Sequence, residues 1–273
     1  MKYIKPYQIF ESSATAPAAL TAVQIEWLDE CVDGSWKLNR QTGLIDVDGN
    51  FDCSEQGLTD LKGVRFGKAN WDFDCYYNQL TSLVGAPQTV DGDFSCGRNQ
   101  LTSLEGAPKT VGGSFDCYDN KLTTLEGAPQ SIKGDFLCYE NQLTTLEGAP
   151  QKVGQYFHCY NNHLTTLEGA PQTVRWDFDC KDNQLTSLVG APKTVGGDFY
   201  CEGNPVSETT LDSIFALMKK RKSYQQALEE YWPEMGEEDR VLMYKDKDHS
   251  SLSPEDIRKY KALATYNNIK NYL

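Results

Sequence analysis

No stretch of the chain approaches the roughly 18 to 20 apolar residues that a helix needs to cross a bilayer. Basic residues are scarce: 26 lysines and arginines stand against 39 aspartates and glutamates, a formal charge of −13. That balance excludes nonspecific binding to DNA, RNA or an anionic membrane, because each needs cations facing phosphates. Basic partners remain, including proteins that normally hold nucleic acid. No Gly-x-Ser-x-Gly, phosphate-binding loop or His-Glu-x-x-His motif occurs, so the commonest hydrolase, nucleotide-binding and metalloprotease signatures are missing. The opening Met1 to Phe10 carries Lys2 and Lys5 but runs at once into Glu11 and two serines. Ala14 to Val23 is alanine-rich, without the leucine-rich centre of a secretory signal. The protein therefore reads as cytoplasmic. Hydrophobic residues make up 39%, a low share for a round core but sufficient for an array whose coils each bury one edge.

What is present is a period. Cys53, Cys75, Cys96, Cys117, Cys138, Cys159, Cys180 and Cys201 are separated by one step of 22 residues and then by steps of 21. A fixed period of this size signals a solenoid. The unit around Cys117 runs Phe115-x-Cys117-x-x-Asn120-x-Leu122-x-x-Leu125-x-Gly127-Ala128-Pro129-x-x-Ile132. Phe and Cys alternate on a short strand and so share its inner side. Two leucines follow on a turn, Val or Ile closes the coil, and Gly-Ala-Pro reverses the chain. Asn78, Asn99, Asn120, Asn141, Asn162, Asn183 and Asn204 each stand three residues after a cysteine, with Gln56 in the first coil. A buried amide needs partners for its donors and its acceptor, and stacked coils supply them from the backbone of its own and the adjacent turn.

This pattern resembles the leucine-rich repeat family, in the short form of bacterial and phage-type members, with Phe and Cys in place of two leucines. Asn99-Gln100-Leu101-Thr102-Ser103-Leu104 carries the likeness most clearly, and it extends over residues 50 to 204. The resemblance implies a curved solenoid of about eight coils with a parallel sheet on its concave side; a straighter β-solenoid serves the same period. The cysteines then read as small buried hydrophobes in a column rather than metal ligands, since only His158 and His163 accompany them. Free thiols in such a ladder fit a reducing compartment.

Residues 1–49 and 205–273 flank the array as caps, which hide its open ends. Thr21 and Gln24 are spaced as a capping box for a helix over 21–32, with Ile25, Leu28 and Cys31 on its inner face. A hairpin over 35–48 turns near Gln41-Thr42-Gly43. After Asn204 the spacing predicts helices over 208–220, 224–231, 237–244 and 254–272, with Leu211, Ile214, Phe215 and Met218 as an apolar stripe. Ile9-x-Glu11 is similar to a phage prohead-protease site, which implies removal of the first eleven residues.

Four outward columns vary from coil to coil. Before Phe stand Asn50, Asp72, Asp93, Ser114, Asp135, Tyr156, Asp177 and Asp198. Between Phe and Cys stand Asp52, Asp74, Ser95, Asp116, Leu137, His158, Asp179 and Tyr200. After Cys come Ser54, Tyr76, Gly97, Tyr118, Tyr139, Tyr160, Lys181 and Glu202, then Glu55, Tyr77, Arg98, Asp119, Glu140, Asn161, Asp182 and Gly203. These columns hold fourteen acids against Arg98 and Lys181, whereas the rest of 50–204 holds six acids and nine basic residues. Like charges on adjacent strands repel, so folding offers no evident reason to gather them, and tyrosine is a contact residue. The expectation is a non-catalytic scaffold that docks a basic protein or peptide through Asp74, Tyr76, Tyr77, Arg98, Asp116, Tyr118, Asp119, Tyr139, Glu140, Tyr156, His158, Tyr160, Asp179, Lys181, Asp182 and Tyr200, without a cofactor. Columns of carboxylates standing in for phosphates make a DNA mimic the alternative.

Three further readings are weaker. Calcium between Asp177, Asp179 and Asp198 suits oxygen ligands, and Asp46-Val47-Asp48-Gly49 has a superficial likeness to a calcium loop, but no complete loop is present. Ice binding needs Thr-x-Thr on a strand, whereas Thr81-Ser82 to Thr186-Ser187 are adjacent pairs at a turn. Paired carboxylates serve glycoside hydrolysis, yet an open face gives no water-excluding pocket. Residues 205–273 hold no cysteine and are too short for the ubiquitin-ligase domain that similar bacterial effectors carry.

Overall fold

The computed structural model describes residues 19–206. The leader with its Ile9-x-Glu11 motif and the helices expected beyond 207 lie outside the described residues. Within them the chain winds as a parallel β-solenoid of about seven turns. Phe51, Phe73, Phe94, Phe115, Phe136, Phe157, Phe178 and Phe199 pair in register, each strand with the next. These eight residues mark the rungs.

Phenylalanine and cysteine turn inward as the alternation predicts. Every phenylalanine from Phe51 to Phe178 and every cysteine from Cys53 to Cys180 is fully buried. The rings stack along the axis, Phe157 on Phe178 at 5.3 Å and 4°, each burial contributing about 1.5–3 kcal/mol. All nine thiols are free. Some donate to the backbone of the next rung, as Cys75 Sγ does to the Ser95 carbonyl at 3.2 Å, and burial raises the pKa values of thiols such as Cys96 and Cys117. A core column of hydrophobes is what the cysteines form.

The asparagine row binds the coils together. Asn99 Nδ2 donates to the carbonyls of Cys96 in its own coil and Cys75 in the one before, while its Oδ1 accepts the Leu80 N–H at 2.9 Å. Gly-Ala-Pro makes the bend: Gly106 has φ +90°, and a Cβ there would lie 2.7 Å from the Leu83 carbonyl. Only glycine fits.

A second ladder runs beside the first. Thr89-Val90 pairs with Thr110-Val111, and Ile132, Val153, Val174 and Val195 continue the row. The resemblance implied one sheet; each coil contributes two short parallel segments. Val90 and Phe94 are four residues apart, so the ladders meet around a corner made by Asp91-Gly92-Asp93.

Helix α1 (Ala22–Cys31) and the hairpin β1 (Val32–Asn39) and β2 (Leu44–Asp52) precede the coils. The capping box forms as expected, Thr21 accepting from the Gln24 N–H and Gln24 from the Thr21 N–H. The buried face is a correction: Trp27, Leu28 and Cys31 go inward, and Ile25 is 40% exposed. Residues two apart on a helix lie about 200° apart, so Ile25 cannot follow Trp27, which meets Phe51 edge-on at 5.4 Å. Gln56 is longer than the asparagine it replaces and reaches this helix, accepting from Trp27 Nε1 at 2.9 Å and donating to Cys31 Sγ. The hairpin pairs from Val32↔Phe51 to Asn39↔Leu44, longer at both ends than the sequence suggests. Strand β2 then starts both ladders: Ile45 and Val47 pair with β3 (Phe66–Ala69), and Phe51-Asp52 with β4 (Phe73–Asp74).

Candidate functional site

Side-chain contacts join the variable columns in places, Tyr156 with His158, His158 with Tyr160 and Tyr76 with Tyr77, but folding uses many of their acids. In the column before Phe, each side-chain oxygen accepts the backbone N–H of the same position one rung on: Asp72 from Asp93 at 2.8 Å, Asp93 from Ser114 at 2.6 Å, Ser114 from Asp135, Asp135 from Tyr156, and Asp177 from Asp198 at 2.7 Å. In the column between Phe and Cys, Asp52, Asp74, Asp116 and Asp179 accept the N–H two residues ahead, closing a local turn. These charge-assisted bonds offset the repulsion between neighbouring carboxylates. The expectation that folding gives no reason to gather acids here is therefore corrected for these two columns.

The fourth column has its own constraint. Glu55, Tyr77, Arg98, Asp119, Glu140, Asn161 and Asp182 all have φ between +50° and +57°, and Gly203 has +72°. They sit at a left-handed turn rather than on the strand, and their side chains, Tyr77 at 54% among them, are exposed. Asn, Asp and Gly tolerate this conformation; Tyr77, Arg98 and Glu140 hold it against preference.

The third column carries the aromatic feature. Tyr118 stacks on Tyr139 at 4.5 Å and 9°, and Tyr139 on Tyr160 at 4.4 Å and 10°. Their ring faces cover one another, and side-chain hydrogen bonds link Tyr118 to Tyr76 and Tyr139 to Tyr160. Gly97 breaks the row, and Tyr118 leans over it toward Tyr76, 6.1 Å away and tilted by 50°. Arg98 closes the break: its guanidinium lies 5.8 Å from the Tyr76 ring and 6.0 Å from Tyr77, with Asp119 at 3.6 Å. Burial pushes the phenols of Tyr118, Tyr139 and Tyr160 above their usual range. Beneath them burial lifts the Asp116 carboxyl to about 7, and raises Asp74 and Asp179 as well.

Toward the last rungs, Lys181 Nζ lies 4.5 Å over the Tyr200 ring and 3.5 Å from Asp179, and the Tyr200 hydroxyl donates to Asp198. Tyr156, His158 and Tyr160 form a second aromatic group, with centroids 5.4 and 6.0 Å apart along that series. Burial lowers the His158 pKa, although Asp179, Asp135 and Asp177 pull it upward. The sixteen expected residues thus fall into a Tyr76–Asp119 group, the central Tyr139 and Glu140, and a Tyr156–Tyr200 group; Asp182 stands apart at its exposed turn.

The three acids of the calcium reading have partners within the protein. Asp177, Asp179 and Asp198 are engaged with the Asp198 N–H, with the Lys181 N–H and ammonium, and with the Tyr200 hydroxyl. Among the described residues no three His, Cys, Asp or Glu side chains come together as metal ligands. Asp46-Val47-Asp48-Gly49 is strand β2 rather than a loop, its acids accepting from the Lys68 N–H and from Asn70. A cleft of about 310 Å³ opens at the Gly-Ala-Pro edge between Leu44, Arg65, Val84 and Glu105, and no residue of the acidic face lines it.

The sequence reading missed Trp71 and Trp176, 63% and 43% exposed. Both stand two residues before Phe, where Gly92, Gly113, Gly134 and Gly197 occupy other rungs. A Cβ at those glycines would collide with Asp72, Asp93, Ser114 or Asp177 of the rung before. The signal was a bulky residue in a glycine column. Neither a protein-family model nor a curated protein matches the chain. Among the described residues no helix is long and apolar enough to cross a membrane.

Proposed function

We propose that the acidic, tyrosine-bearing side of the Phe ladder docks a basic protein or peptide, on a non-catalytic scaffold of leucine-rich-repeat type capped at its start by α1 and the hairpin. One observation carries this reading. The column that holds Tyr76, Tyr118, Tyr139 and Tyr160 also holds Ser54, Gly97, Lys181 and Glu202, so the winding does not ask for tyrosine there. Acids steer the encounter and the phenols supply contact. Free, buried thiols fit action in a reducing compartment such as the cytoplasm.

The test is calorimetric titration with octa-lysine. Asp119→Arg with Glu140→Arg should weaken binding about tenfold, since close charge pairs at interfaces contribute on the order of 1.5 kcal/mol or more. Arg98, at the equivalent turn with φ +50°, shows that a basic residue is accommodated there. Unchanged affinity removes the face from consideration.

A second reading is a DNA mimic, favoured by the line of Asp72, Asp93, Asp135, Asp177 and Asp198. Affinity of a nucleic-acid-binding partner would then fall steeply with salt; a flat salt response excludes mimicry.

A further inference from the structure

We propose that Trp176 and Tyr156, with the carboxylates of Asp135 and Asp177 beside them, anchor one arginine side chain of the docked partner. The inference rests on the docking reading above and adds to it a place and a chemistry.

The two rings meet edge to face at 5.0 Å and 78° rather than stacking, and the indole keeps 43% of its surface exposed. Asp135, Tyr156 and Asp177 occupy the same column on three successive rungs, which a β-ladder spaces about 4.8 Å apart, and Asp135 Oδ1 accepts the Tyr156 N–H at 3.0 Å. His158 lies 5.4 Å from Tyr156 and faces Asp135, Asp177 and Asp179. Burial lowers its pKa, so it brings no competing positive charge at neutral pH.

Nothing in the winding asks for Trp176. Five other rungs have glycine at its position, and its indole remains 43% exposed. An indole left in water beside a predominantly acidic face is well suited to a cation, because tryptophan is the best cation–π partner.

The molecule shows twice what this face takes. Arg98 settles on Tyr76 and Tyr77 against Asp119, and Lys181 on Tyr200 against Asp179. Each is a cation on a phenol beside a carboxylate. The Trp176–Tyr156 pair repeats this setting of ring and acid, while the two basic residues of the face are both engaged on other rings. Arginine is favoured over lysine, since a planar guanidinium stacks on the indole while its fork meets a carboxylate.

Octa-arginine and octa-lysine, titrated by calorimetry into the full chain at equal salt, test the proposal. Octa-arginine should bind about tenfold tighter. Trp176→Gly, which installs the glycine of five other rungs, should erase that preference, and Trp176→Phe should keep part of it. Tyr156→Ser, which copies Ser114 of the same column, is the second variant should the first not fold, and should also lose the preference. Asp119→Arg with Glu140→Arg should weaken both peptides alike and leave their ratio intact. Equal binding of the two peptides, or a preference that survives Trp176→Gly, overturns the anchor while the acidic face stands. Binding of neither peptide overturns both.

Discussion

The Asp93 carboxylate accepts the backbone N–H of Ser114, one full coil further along the chain, at 2.6 Å. The acid is thus a bracket between coils as well as a surface charge. Asp93→Ala is expected to cost about 1.5–3 kcal/mol, the usual contribution of a hydrogen bond to a charged group. Asp93→Ser should recover much of it, as Ser114 serves the Asp135 N–H. Urea denaturation measures both; an alanine variant as stable as the parent would reduce the bracket to an ordinary exposed carboxylate.

The asparagine row should be far less tolerant. Asn120 donates to the carbonyls of Cys96, Cys117 and Tyr118 and accepts from the Leu101 N–H, all within the interior or its margin. Asn120→Ala strands these groups, each costing about 1–3 kcal/mol when left unpaired. A loss of at least about 3 kcal/mol is expected in the same denaturation experiment.

Asp116 sets a pH dependence. Its carboxyl titrates at about 7 in the fold, against about 3.9 in an unfolded chain. The folded state therefore holds the proton more tightly. This group's contribution is full below about pH 4 and is lost as pH rises through about 7. Burial is the main cause, with the charge of Asp74 adding to it. Asp116→Asn keeps an oxygen for the Tyr118 N–H and removes the charge. It should match the parent at pH 4 and exceed it in stability at pH 8. A gap between the two proteins that does not change with pH would mean that Asp116 ionises normally.

Thiol labelling probes the core column. Cys53 to Cys180 are buried, whereas Cys201 is partly exposed, with its pKa raised only to about 11. Under native conditions Ellman's reagent should modify Cys201 well ahead of the others, and all nine should react in denaturant. Rapid native labelling of several would place the thiols outside.

The winding was legible because its signals are local. Period, inward Phe and Cys, the asparagine and the Gly-Ala-Pro bend all lie within one 21-residue unit. The Thr-Val ladder was harder to read, since two-residue strands such as Thr89-Val90 carry no alternation of their own and are defined by their neighbours. The roles of Asp72 and Asp93 were hidden for a related reason: their acceptor bonds join residues 21 apart, and a column of acids looks the same whether it binds a partner or a backbone. Trp27 prevailed over Ile25 because the rings of Phe51 and Phe66 lie beside it, a fact of the assembled molecule. Comparison between coils found the tyrosines but stopped one position short of Trp176.

Strand β2 belongs to two ladders at once, one through Ile45 and Val47 and the other through Phe51 and Asp52. It is made before any coil and already displays both docking edges for the first. The first coil therefore finds a partner for each of its two strands in a single preceding strand. A chain lacking β2 would leave β3 and β4 together without a partner at the start of both ladders.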